Sequence, residues 1–136
     1  MDKEIEMEII KAFVNKNMQE RFLFELCSPK KRKNGIGRLC HQYDKIFNRD
    51  YMIEIPKDDL NLTGIGSMLK NHEINSNCYL ISYDEEIDGM YLPLMQALER
   101  VVGLGMPSII SCITGKLAYF EGEQEIGMPP RFILKR

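Results

Sequence analysis

The chain has 136 residues, 44% apolar and 28% charged, with a formal net charge of −2. That length holds one hydrophobic core without help from metals or disulfides and leaves no room for a second domain, and the mixture lies far from the polar, highly charged regime of disordered chains. Near-neutrality excludes a global basic field that would attract nucleic acid or an anionic membrane, so any such binding falls to a local patch.

Ile5, Ile9, Phe13, Phe22 and Leu26 recur at helical spacing, which predicts a first helix over about residues 3 to 27. Ser28-Pro29 then offers an N-cap followed by proline at the first helical position, restarting the chain as a second helix to about Phe47. Its apolar side is Ile36, Leu39, Cys40, Tyr43, Ile46 and Phe47, and Lys31, Asn34, Arg38, His41 and Lys45 take the other. Gly35 and Gly37 weaken that helix by about 1 kcal/mol each relative to alanine, so it needs tertiary support.

From Tyr51 short apolar runs alternate with helical segments. Strands are expected at Tyr51 to Ile55, Cys78 to Ser82, Ser108 to Ile113, Lys116 to Phe120 and Phe132 to Leu134. Helices are expected from Asp58 or Asp59 to about Asn71, and from Pro93 to Gly103. Thr114-Gly115 reads as a hairpin turn. The expected architecture is an α/β domain, with α+β as the alternative: a mixed sheet of about five strands flanked by helices, its first three strands parallel and its last two antiparallel. Residues 1–136 form one domain, in which a helical segment, 1–47, packs on a sheet core, 51–136.

The cysteines, Cys27, Cys40, Cys78 and Cys112, are widely spaced, with only His41 and His72 as imidazole partners, and neither a structural zinc site nor a cofactor is expected from them. Cys27, Cys40 and Cys112 fall in apolar settings and read as buried thiols of a reducing compartment. The acidic, amphipathic start of the chain is unlike a secretory signal, and no apolar run reaches membrane-spanning length, so a cytoplasmic location is expected and no membrane partner.

The most organised polar feature is Lys30-Lys31-Arg32-Lys33, continued along a helix by Arg38, His41 and Lys45. Cations at a helix N-terminus oppose the macrodipole, and a bound phosphate, nucleotide or RNA backbone would relieve that; equally, such a stripe is the solvated side of an amphipathic helix. No aromatic residue is interleaved with these cations, which argues against stacking on bases. His41 is the candidate catalytic base of a small hydrolase or nuclease. Asp84 and Asp88, in an acidic loop after the second strand, are the candidate metal ligands, though a solvated turn explains them as well. With a parallel second and third strand, Glu121, Glu123 and Glu125 fall at the opposite end of the sheet from Asp84, which shares its end with Lys57, Thr114 and Lys116. Gly64-x-Gly66 and Gly103-x-Gly105 read as turns or caps, since neither completes a phosphate-binding loop.

These features favour a small binding or inhibitory module that acts through protein contact. A binder of a phosphate-containing ligand or RNA through Lys30, Lys31, Arg32, Arg38, His41 and Lys45 is the alternative, and a small hydrolase or nuclease the third reading. Met90, Met95, Met106 and Met128 supply an adaptable contact surface or fill the core. The sheet edge expected at the chain's end offers a route to a homo-oligomer.

Overall fold

The computed structural model describes residues 1–74 and 76–136. Four helices come first: α1 (Lys3–Phe13), α2 (Lys16–Cys27), α3 (Arg32–Gly37) and α4 (Leu39–Ile46). Then follow β1 (Met52–Glu54), α5 (Leu62–Lys70), β2 (Cys78–Ser82), β3 (Tyr91–Leu92), α6 (Leu94–Val101), β4 (Ser108–Ile113), β5 (Leu117–Glu121) and β6 (Arg131–Lys135). No helix among the described residues is long and apolar enough to cross a membrane.

The expected first helix is divided at Val14 and Asn15. Val14 turns extended to form a bridge with Phe47, and the Asn15 side chain donates to the carbonyls of Lys45, at 2.7 Å, and Phe47, at 3.2 Å. A long-range pairing thus overrides helical periodicity that continues on both sides. The second expected helix is likewise two, α3 and α4, meeting at Arg38. Gly35 lets α3 sit against α2, because a Cβ there would lie 2.9 Å from the Glu25 Cβ. Gly64 and Gly66 lie inside α5 instead of forming a turn; a Cβ on Gly64 would come within 2.5 Å of the Asp59 backbone, so the glycine permits α5 to follow the preceding turn closely.

The α/β class holds, but the sheet has six strands in the order β1-β6-β5-β4-β2-β3, and every pairing is antiparallel. The parallel arrangement expected of the first three strands is therefore wrong. The reason is burial on both faces. Near-continuous apolar strands usually mark parallel sheets covered by crossover helices, and here helices cover an antiparallel sheet. On one face Tyr79, Ile81, Ile109, Ala118, Phe120 and Leu134 pack with α1 to α4. On the other, Cys78, Leu80, Ile110, Cys112, Tyr119 and Ile133 pack with α5 and α6. The added strand, β3, is two residues paired with Cys78 and Tyr79, too short for an alternating pattern.

Two consequences bear on function. β6 lies between β1 and β5, so the edge expected at the chain's end is internal; the edges are β1 and β3, both very short, as natural sheets keep exposed edges. Antiparallel pairing also sets Ser82 opposite Ser108, and Ser108 opposite Glu121. Glu121 thus lies at the same end of the sheet as Asp84, and Thr114 and Lys116 at the other, the reverse of the parallel expectation.

Candidate functional site

At that end of the sheet the chain gathers its buried charge. Arg32 was expected to face a ligand; its guanidinium instead points inward, with a side chain 8% exposed. Nε and Nη2 donate to Asp88 at 2.6 and 2.9 Å, Nη1 and Nη2 to Glu6 at 2.7 and 2.6 Å, and Nη1 also to the Leu26 carbonyl at 3.1 Å. Five N–H groups meet five acceptors, the full capacity of the fork. Burial works to lower the Arg32 pKa, but the hydrogen bonds and charges of Asp88 and Glu6 prevail and hold it above its ordinary value.

The network reaches further. Tyr79 donates to Glu6 Oε2 at 2.6 Å and accepts from the Asp2 N–H at 3.0 Å, and Asp88 accepts from the Ser82 N–H at 3.0 Å. Asp88, read from sequence as a metal ligand, is committed to Arg32 and Ser82. Asp84 accepts from the Glu86 N–H at 3.0 Å, as a turn residue does. Above this floor opens a cleft of about 530 Å³, lined among others by Lys3, Cys27, Lys33 and Tyr83.

The basic segment is dispersed by the fold. Lys30, Lys31, Lys33 and Lys45 are exposed, whereas Arg38 pairs with Glu25 at 3.0 Å. Lys31 Nζ lies 5.1 Å from the centre of the Phe24 ring, and Lys33 Nζ 4.8 Å from that of Tyr83. Aromatic rings absent from the linear segment thus stand beside its cations in space. Phe24 is 61% exposed.

His41 stands on the outer side of α4 beside the β5–β6 loop. Its Nδ1 is 2.9 Å from Glu125 Oε1, and its Nε2 is 3.7 Å from Glu123 Oε2. Burial and the charges of Glu123 and Glu125 push the neighbouring Cys40 thiol up to about 11. Glu121 separates from this pair: it is fully buried and accepts from Arg131 Nε at 2.9 Å, Tyr119 Oη at 2.8 Å and the Gly103 N–H at 2.8 Å. All four cysteines are free; Cys78 and Cys112 are buried, but Cys27 and Cys40 are only half-buried, more open than their apolar settings suggest. His72 lies outside these clusters.

Sequence reasoning missed Glu6, Tyr79 and Phe24, and the meeting of His41 with Glu123 and Glu125. Glu6 carried a signal. It occupies the same helical face as Ile9, Ile10 and Phe13, and an acid on an apolar face requires a buried partner. Compared with known proteins, the chain matches no family model, no curated protein and no solved structure, so function is read from its own geometry.

The network predicts a pH response. Burial and the bond to Glu6 raise the Tyr79 pKa, burial and Glu121 raise that of Tyr119, and chiefly the bond to Asp2 pushes Tyr91 up to about 12. A phenol whose pKa is raised by folding contributes stability fully present below its unfolded value, about 10, and lost as pH rises through the folded value. Stability should therefore begin to fall above about pH 10. In an alkaline titration followed by phenolate absorbance, Tyr79 and Tyr119 should ionise only as circular dichroism is lost; ionisation of all 6 tyrosines with the fold intact would contradict this.

Proposed function

We propose that the protein is a non-catalytic binding module whose partner is an acidic protein surface, docked at the corner where α2 passes into α3. The observation that carries this reading is the exposed Phe24 ring with Lys31 over it, beside Lys30. An exposed aromatic anchor flanked by cations is the composition of an interface hot spot, and the cations complement acidic groups on the partner. Lys3, on the rim of the adjoining cleft, extends the same sign of charge, while Lys33 on that rim pairs with Glu85 at 3.4 Å. The cleft floor favours a protein over a small phosphate ligand. It sets two carboxylates against one guanidinium, so its charge opposes an anion, and the donors of Arg32 are already occupied.

The test is cross-linking mass spectrometry of the complex isolated from the native host, followed by titration of the purified partner. Cross-links should fall on Lys30, Lys31 and Lys33, and Phe24→Ser combined with Lys31→Glu should weaken binding by at least about tenfold, the effect of losing one aromatic anchor. Both positions are exposed, so the thermal midpoint should be unchanged. A companion released by nuclease, or a partner bound equally by the double variant, would refute the reading.

A further inference from the structure

A second cluster stands apart from the proposed docking corner. His41, Glu123 and Glu125 each offer a ligand atom, and the three atoms lie within 4.8 Å of one another. They come from two elements, α4 and the loop after β5, so the fold and not sequence proximity assembles them. Two carboxylates face a single imidazole, which leaves negative charge in excess whatever the state of the ring. Taken with one ring nitrogen, the spacing of up to 4.8 Å between the three donor atoms stands about an ångström wider than the ~3.4 Å expected of two donors around a tetrahedral ion with bonds of about 2.0–2.2 Å, so the donors draw together on binding. All three side chains reach solvent, so small rotations complete the geometry.

We propose that His41, Glu123 and Glu125 form a surface site for a divalent transition-metal ion of the zinc class, with water completing its coordination. The imidazole selects the class: a nitrogen donor suits zinc, cobalt or nickel, whereas magnesium and calcium prefer all-oxygen sets. A bound ion clamps the β5–β6 loop to α4 and removes the repulsion between the two glutamates.

Calorimetric titration of the full chain with zinc chloride should show one ion per molecule, and magnesium chloride should give no comparable heat. His41→Ala, Glu123→Gln and Glu125→Gln should each lower zinc affinity by at least about tenfold, as even groups that only support metal ligands do. Cobalt chloride on the unaltered protein supplies a readout independent of the variants' folding: the visible bands of a low-coordinate nitrogen and oxygen site. Absence of zinc binding, equal binding of magnesium, or zinc affinity indifferent to all three substitutions would overturn the proposal.

Discussion

Arg32→Ala is expected to destabilise the fold by about 3–5 kcal/mol, the cost of removing one partner from a buried ion pair. The magnitude follows from what remains. Glu6 and Asp88 have side chains 1% and 8% exposed, and without the guanidinium they are two neighbouring carboxylates whose remaining hydrogen-bond partners, the Tyr79 hydroxyl and the Ser82 N–H, carry no charge. Arg32→Lys should recover only part of the loss, since an ammonium supplies three donors where the guanidinium uses five. Equilibrium urea unfolding reads this directly. An unchanged midpoint for Arg32→Ala would mean that the cleft relaxes enough to hydrate both carboxylates. The same residue tests the function, because a structural Arg32 affects partner binding only through folding, whereas a ligand-contacting one would lose binding at unchanged stability.

Arg131→Ala should cost about 3 kcal/mol by the same mechanism at the second network. Glu121 is fully buried and would keep the Tyr119 hydroxyl and the Gly103 N–H, but lose its only ion-pair partner among the described residues. Tyr119→Phe, which removes one bond and no charge, should cost about 1 kcal/mol. That ordering separates the loss of charge from the loss of a hydrogen bond. If Tyr119→Phe proved the more damaging in denaturant unfolding, the Tyr119 hydroxyl and not the Arg131 pair would be the main support of Glu121.

Much of the fold was legible along the chain. The spans of β2 and β4 match their apolar runs, Pro93 precedes α6, and the turn into β5 contains Gly115 at φ +75°. These features are local: a glycine supplies a left-handed turn and an apolar run supplies a strand. The break at Val14 was not legible, because the bonds that end α1 reach across to the chain on either side of Phe47: the Asn48 N–H donates to the Phe13 carbonyl and the Asn15 N–H to that of Ile46. The candidate sites were less legible still. Lys31 and Lys33 were visible as cations, but their rings, Phe24 and Tyr83, are contributed by α2 and by the turn after β2.

What the sequence by itself determined is the class, the approximate spans of five of the six strands and a covered sheet, because burial of apolar side chains is written in composition and period. Only the tertiary structure decided strand direction, the inward turn of Arg32 and the pairing of His41 with Glu123 and Glu125. A sheet covered on both faces loses the alternation that would reveal direction, and a charge finds its partner through contacts that spacing along the chain does not encode.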